Sequence, residues 1–396
     1  MELAELARSA GAIVADTVVQ SRERLDPATL IGRGKLEEVR QRLAETGADL
    51  LIFDADLTPT QQRNIEARIE RRVVDRTQVI LDIFARHART REGQLQVELA
   101  QLNYLLPRLA GRGIEMSRLG GGIGTRGPGE TQLEMDRRRI RRRIRLLEES
   151  LETVRRQRMH RRSRRATIPI ATVALAGYTN AGKSTLFNRL TQSEVPTSPQ
   201  MFATLDPTLR MLELPSRRRV LLSDTVGFIR NLPHTLIKAF RATLEEAGEA
   251  ALILLVSDCS SPNRAQQEED VRKVLDEIGV LDKPILHVWN KMDLLTPGQQ
   301  SALQPGEDAV SISALTGAGV DELLRAMDRH LSVDPVERVQ LRFTQLQGRE
   351  LSWVYEFGRV LQREERNGLI EVEAELPHSL RSRLQAFLTG PGASRP

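Results

Sequence analysis

The apolar positions of the chain fall into stretches of different rhythm. In residues 1–90, short apolar runs alternate with helical spacing. Ala12–Val19 reads as a strand. Lys35–Glu45 reads as a helix through Leu36, Val39 and Leu43, and Ala48–Asp54 as a short buried strand. Thr58 or Thr60 caps a second helical stretch, and Arg72–Asp75 is a third candidate strand. This alternation predicts a small α/β unit with a parallel sheet over residues 1–92.

Residues 93–165 change rhythm. Leu95, Leu99, Leu102 and Leu106 form one heptad-like seam; Leu133, Ile140, Ile144, Leu147, Leu151 and Val154 form another. Between them, residues 111–130 contain eight glycines, and no helix runs through such a segment. The expectation is a long antiparallel helical hairpin with a Gly-rich tip.

Residues 166–333 return to strands alternating with helices. Thr167–Ala176, Val220–Ser223, Ala251–Ser257, Pro284–Trp289 and Ala309–Ser313 are apolar runs, each followed by a turn or a helical pattern. Such repetition predicts a doubly wound sheet. Residues 334–396 read as a small α+β domain. They hold Val339–Leu346, a helical stretch near Leu351–Gln362 and an alternating strand Leu369–Leu376.

Composition narrows the class. Of 396 residues, 40% are hydrophobic and 28% charged, a balance that supplies real cores. No apolar run approaches the ~18 residues of a membrane helix, so no membrane span is expected. The first residues carry acids and lack a basic segment followed by an apolar one, which argues against a secretory signal. The single cysteine, Cys259, excludes a disulfide framework and a cysteine-based zinc site; it reads as a packing residue in a cytoplasmic protein. Net charge is +5, yet residues 137–165 alone hold 14 arginines and 3 glutamates, so the remainder is net acidic. Concentrated arginine of one sign attracts phosphate backbones. A charge run is more often a solvated helix surface, but these arginines far outnumber the acids that could neutralise them locally.

Five segments carry candidate chemistry. Gly177-Tyr178-Thr179-Asn180-Ala181-Gly182-Lys183-Ser184 fits G-x-x-x-x-G-K-[ST], between an apolar strand and a helical pattern. Backbone amides there converge on phosphate oxygens, Lys183 reaches the outer phosphates and the Ser184 hydroxyl ligates Mg²⁺. Asp224-Thr225-Val226-Gly227 closes the run RVLLS; its carboxylate can hold Mg²⁺ through water, and Gly227 permits close backbone approach to the γ-phosphate. Alone that pattern is weak; its place after a strand strengthens it. Asn290-Lys291-Met292-Asp293 follows the strand ILHVW. The Asp293 carboxylate can accept from guanine N1–H and N2–H₂, donors that adenine lacks, while Lys291 lies across the base. Ser313-Ala314-Leu315 offers a backbone amide to guanine O6. The segment Phe202-Ala203-Thr204-Leu205-Asp206-Pro207-Thr208 lies between the first two motifs, where a threonine can complete Mg²⁺ coordination.

These motifs, in this order, describe a GTPase domain. GYTNAGKS, FATLDPT and DTVGF, preceded by an arm carrying GGGIGTRGPGETQLEMDRR, resemble the HflX family of ribosome-associated GTPases, one of the Obg/HflX-like groups. The resemblance covers residues 25–333 and is weaker in the tail. It implies an N-terminal α/β domain with a helical arm, a P-loop GTPase domain and a small C-terminal domain. It implies binding to the large ribosomal subunit and its rRNA, and the splitting or rescue of stalled ribosomes under stress. It favours Thr204 over Thr208 as the Mg²⁺ ligand beside Ser184, with Lys183, Thr204 and Gly227 serving hydrolysis. Phe228 follows D-x-x-G where many small GTPases place a water-orienting glutamine, so slow intrinsic hydrolysis stimulated by the ribosome is expected. Asn180 resembles the asparagine of potassium-activated GTPases, which implies K⁺ beside the phosphates; the other reading is a loop-stabilising residue. A monomer is expected.

Two other functions fit parts of the sequence. One is a nucleotide-dependent RNA-binding or remodelling protein not tied to the ribosome. The other is a membrane-surface regulator using the basic helix, which the 4% aromatic content disfavours.

Overall fold

A computed structural model of the chain describes residues 2–21, 23–109, 128–165, 170–193, 201–202, 208–230, 248, 250–331, 336–366 and 368–389. They fall into two units. The first holds residues up to Arg155 together with Met201 and Phe202; the second holds the others.

In the first unit the elements run α1 (Glu2–Ser9), α2 (Arg33–Thr46), β1 (Leu50–Phe53), α3 (Pro59–Ile69), β2 (Arg72–Asp75), α4 (Arg76–His87), α5 (Arg91–Arg108) and α6 (Pro128–Arg165), whose residues after Arg155 are counted with the second. Strands β1 and β2 pair in parallel. Leu36, Val39 and Leu43 of α2 bury against Phe53, Ile65 and Val73, as the helical spacing predicts. Thr58 is the cap of α3, in a capping box with Gln61 that satisfies two otherwise orphaned amides.

Ala12–Val19 is not a strand. The segment forms no ladder with another strand among the described residues; Ile13 and Val19 face solvent, while Val18 packs on the core and Asp16 pairs with Arg42. A run of apolar residues makes a strand only where a neighbour accepts its ladder hydrogen bonds.

The two leucine seams meet. Leu95 of α5 buries with Leu147 and Leu151 of α6, flanked by Leu99, Leu102 and Val154. Glu98 pairs with Arg143 at 2.6 Å beside that seam. Most of the expected Gly-rich tip, residues 110–127, lies outside the described residues. Met201 and Phe202 belong to this unit: the Met201 amide donates to Ser9 Oγ at 3.0 Å, and the Phe202 ring packs edge-on to Phe84.

The second unit opens with the doubly wound sheet. Its elements are β3 (Thr172–Gly177), α7 (Lys183–Thr191), β4 (Thr208–Glu213), β5 (Arg219–Asp224), β6 (Leu252–Asp258), α8 (Arg264–Glu277), β7 (Ile285–Asn290), α9 (Pro297–Ala302), β8 (Ala309–Ser311) and α10 (Val320–His330). The strand order is β4-β5-β3-β6-β7-β8. All neighbours run parallel except the edge strand β4. Val173, Leu175, Leu222, Leu252, Leu254, Leu286 and Val288 form the centre of the core with Phe187 and Leu323. Every strand of this sheet but β4 therefore points its carboxyl end, where ligands bind in such sheets, toward the loops that carry the motifs.

The same unit ends in β9 (Val336–Thr344), α11 (Gly348–Phe357), β10 (Arg359–Arg366), β11 (Leu369–Pro377) and α12 (His378–Arg383). The three strands form an antiparallel sheet, ordered β10-β11-β9. The helix expected to reach Gln362 stops at Phe357. Gly358 lies so close to Leu376 that a Cβ would sit 2.1 Å from its Cδ2, and residues 359–366 pair with β11 instead. Leu361 prolonged an apparent helical rhythm that cross-strand pairing overrides. Arg219 donates to the Glu356 carbonyl at 3.0 Å, linking this sheet to the larger one.

Candidate functional site

The site begins at the end of β3. The chain turns there through Asn180 and Gly182, both in the left-handed region, with φ of +61° and +92°. Asparagine tolerates that conformation, which supports a loop-stabilising role for Asn180. Gly182 has a second constraint: a Cβ there would lie 2.2 Å from Asn290 Nδ2. Helix α7 starts at Lys183, so its free amides and dipole face the loop.

Lys183 is buried. Its ammonium donates to the carbonyls of Gly177 at 3.0 Å and Tyr178 at 2.8 Å. Burial pushes its pKa down to about 8, against the opposing attraction of Asp224. The Ser184 hydroxyl donates to Asp224 Oδ2 at 2.8 Å, so the first and second motifs converge in space. Gly227 lies close by; a Cβ there would meet Thr179 Cγ2 at 2.8 Å and Lys183 Nζ at 3.1 Å. The backbone of Phe228 clamps the two loops together: its amide donates to Gly177 O, and its carbonyl accepts from Thr179 N. Thr225 is buried too, donating to the Leu175 carbonyl.

The candidates from Asn290 to Asp293 and from Ser313 to Leu315 lie at the ends of β7 and β8, beside β6. Asn290 is buried and makes two bonds: its Nδ2 donates to Ala181 O at 2.9 Å, and its Oδ1 accepts from Ala314 N at 2.9 Å. One side chain thus joins the phosphate loop to the last motif. Lys291 sits at φ +67° and pairs with Asp258 at 2.8 Å, which holds its stem beside the loop. Asp293 Oδ1 accepts from the Ser313 hydroxyl at 2.5 Å. That bond fixes one carboxylate oxygen and orients the other. Met292 contributes backbone, its amide donating to Ile312 O.

Four family models match in series: GTP-binding GTPase N-terminal over residues 1–85, GTP-binding GTPase middle region over 87–165, 50S ribosome-binding GTPase over 172–291 and HflX C-terminal domain over 300–390. The GTPase HflX of Caldanaerobacter subterraneus subsp. tengcongensis is 47% identical over 388 residues, 98% of this chain and 89% of the relative. The chain belongs to the HflX family of GTPases. The GTPase HflX of Escherichia coli K12 is 45% identical over 372 residues, 91% of this chain and 87% of the relative. A GTP-binding protein from Sulfolobus solfataricus, solved in complex with GDP, is 26% identical, with a TM-score of 0.43 over 84% of this chain and 94% of that one. As a member of this family the chain binds and hydrolyses GTP.

The remaining HflX-type positions divide in two. Phe202 is buried against Phe84, whereas Ala203, Thr204, Leu205 and Asp206 lie outside the described residues. Thr208, the other candidate ligand, begins β4 in register with Asp224. Phe228 is 3% exposed, so its ring packs rather than faces water. Sequence reasoning missed Asp258, the partner of Lys291, and Arg189, which bonds the last motif from α7. Asp258 ends an apolar strand beside the base loop, a signal that could have found it. Cys259 is half-buried and its thiol is pushed up to about 11 by burial, so it stays protonated and unreactive at neutral pH. No described helix is long and apolar enough to cross a membrane.

Proposed function

We propose that this HflX-family GTPase works in the cytoplasm on the large ribosomal subunit, splitting or rescuing stalled ribosomes under stress. Family membership supports the setting, and the family matched over residues 172–291 is the 50S ribosome-binding GTPase. The observation that carries the reading is the arginine face of α6. Arg138, Arg139, Arg141, Arg142 and Arg145 are exposed, while Ile144, Leu147 and Leu151 of the same helix are buried. Arg138 and Arg139 pair within the helix with Glu134 and Asp136, and the exposed arginines still outnumber the acids beside them; such an arginine-rich face on a helix packed by its opposite side is suited to rRNA phosphates. In this reading residues 1–92 and 93–165 form the docking portion, 166–333 the nucleotide switch and 334–396 an accessory domain.

In the switch, amides of Gly177–Ser184 cradle the phosphates, and the Lys183 ammonium stabilises charge on the transferring phosphoryl group. The Gly227 amide reads the γ-phosphate. Asp293 accepts from the guanine edge, Lys291 covers the base, and the Asn290 and Ser313–Leu315 loops hold that pocket. The donor set fits Mg²⁺: a serine hydroxyl and a buried carboxylate are hard oxygen groups, joined here at 2.8 Å. Ser184 would hold the ion directly and Asp224 through water, with Thr204 assigned as the second direct ligand on the FATLDPT resemblance. When bound, it offsets negative charge on the phosphate oxygens. Phe228 offers no hydrogen bond to an attacking water, which supports slow turnover until the ribosome supplies a polar group.

The test is GTP turnover with and without purified large subunits, with ATP in parallel. Stimulation restricted to GTP supports the reading. No stimulation with GTP still bound moves the partner to another RNA and overturns the ribosomal assignment. Subunit pelleting across a salt series adds a second arm. Binding should fall steeply with salt, and further in Arg138→Glu/Arg142→Glu. Comparing turnover in KCl and NaCl tests whether Asn180 also serves a monovalent cation.

A further inference from the structure

Arg189 stands on α7, less than two turns after Lys183, and reaches across to the loop that ends β8. Its Nε donates to the Ala314 carbonyl at 3.2 Å, and a second guanidinium nitrogen donates to the Leu315 carbonyl. Ala314 is buried in the core of the large sheet, but the residue after it is not. Leu315 is 69% exposed, and Arg189, Ala314 and Leu315 edge an open pocket of about 360 Å³ together with Thr185, Asn188 and Gln192.

The other amides of the loop are engaged. Ala314 N donates to Asn290 Oδ1, Thr316 N to Ser313 Oγ, and Gly317 N to Ser313 O. Among the described residues no contact engages Leu315 N–H. Its peptide plane is the one whose carbonyl Arg189 grips. The chain has no cis peptide among the described residues, so that carbonyl and that N–H point in opposite directions. Fixing one fixes the other. A guanidinium on the carbonyl oxygen also polarises the peptide and makes its N–H a stronger donor.

We propose that Arg189 is a positioning residue for base recognition: by holding the Ala314 and Leu315 carbonyls it aims the Leu315 amide at guanine O6. The inference rests on the reading of Asn290–Asp293 and Ser313–Leu315 as the guanine site. It also joins base recognition to the phosphate-binding helix, because Arg189 belongs to the helix that Lys183 begins.

The experiment is equilibrium binding of GDP, IDP and 2-aminopurine riboside diphosphate to the full chain and to Arg189→Ala and Arg189→Lys. GDP and IDP keep O6; the aminopurine nucleotide lacks it. In Arg189→Ala, GDP and IDP should both weaken about tenfold, the order of one charge-assisted hydrogen bond, while the aminopurine nucleotide changes less than about twofold. Lysine cannot fork across two carbonyls, so Arg189→Lys should lie between; it also keeps the test alive should the alanine variant fold poorly. Turnover at saturating GTP should hold while KM rises. An equal loss for all three nucleotides, or unchanged GDP binding, overturns the proposal. Failure of the guanine reading itself appears separately, as wild-type chain that binds ADP as tightly as GDP.

Discussion

The Ser184 hydroxyl donates to Asp224 Oδ2 across 2.8 Å, tying the first turn of α7 to the carboxyl end of β5. These residues are 40 positions apart in the chain, and each comes from a different motif. Asp224 is fully buried, so its carboxylate is held where a cation on the phosphates would need it. Ser184→Ala removes the hydroxyl and leaves the loop backbone intact. GTP turnover should fall about 100-fold, the scale of losing one electrostatic contact to the reacting phosphate, while GDP binding without added Mg²⁺ changes little. Turnover measured across a Mg²⁺ titration checks this. Retained turnover with an unchanged Mg²⁺ midpoint would remove Ser184 from the ligand set.

Burial lowers the Lys183 ammonium to about 8, so the nucleotide-free chain sheds that proton as pH rises through about 8. Phosphate oxygens at Nζ favour the charged form. Binding therefore takes up a proton wherever the free lysine is neutral, and affinity falls as pH rises through about 8. Between about pH 7 and about pH 8.5 the loss of GDP affinity should reach about fourfold. Folding of the nucleotide-free chain has the opposite sign. From about 8 to the ordinary 10.5 only the unfolded lysine holds its proton, so stability rises with pH across that window. Calorimetric titration in buffers of different ionisation heat reads the proton directly. A pH-independent affinity with no proton uptake contradicts the prediction.

Asn290 serves the fold as well as the base site. It is 2% exposed and its amide spans Ala181 O and Ala314 N. Asn290→Ala strands both backbone groups in the interior, at about 1–3 kcal/mol for each unsatisfied group. Asn290→Asp keeps an acceptor for Ala314 N but turns a carboxylate toward the Ala181 carbonyl, so it should not rescue. Urea unfolding monitored with and without GDP measures both effects. A neutral Asn290→Ala would show that water satisfies the two groups.

The loops after β3, β5 and β7 were legible because the chemistry proposed for them needs fixed residue types at fixed spacing after a strand. The structure sets Lys183, Asp224 and Asp293, singled out from the sequence, at the carboxyl ends of strands in one sheet. Arg189 was not legible. It is an arginine on a helix, and its partners are carbonyl oxygens, which no side-chain pattern reveals. Strand β4 was missed for a different reason. It is an edge strand whose Met211 faces solvent and whose Leu212 alone is buried, so its apolar alternation is blurred. The Ala12–Val19 run misled in the other direction, since local apolarity cannot report whether a pairing partner exists. Thr204 and the Gly-rich segment were singled out from sequence and lie outside the described residues.

The helical arm holds two kinds of contact side by side, a leucine seam and an ion pair. Leu147 is 1% exposed between Leu95 and Leu151, whereas the Arg143–Glu98 pair beside it is about half exposed on the arginine side. Burial of a leucine outweighs an exposed ion pair, whose attraction is screened by water and salt. Leu147→Ala should destabilise the α5–α6 pair by about 2–4 kcal/mol. Arg143→Ala should change it by less than about 1 kcal/mol, and less still at high salt. Amide hydrogen exchange on the full chain resolves the two, because protection can be read along α5 and, as an internal control, along β3 and β6. Leu147→Ala should speed exchange in α5 and leave the β3 and β6 amides unchanged. Should Arg143→Ala open α5 more than Leu147→Ala does, the arm is held by its charges and not by its seam.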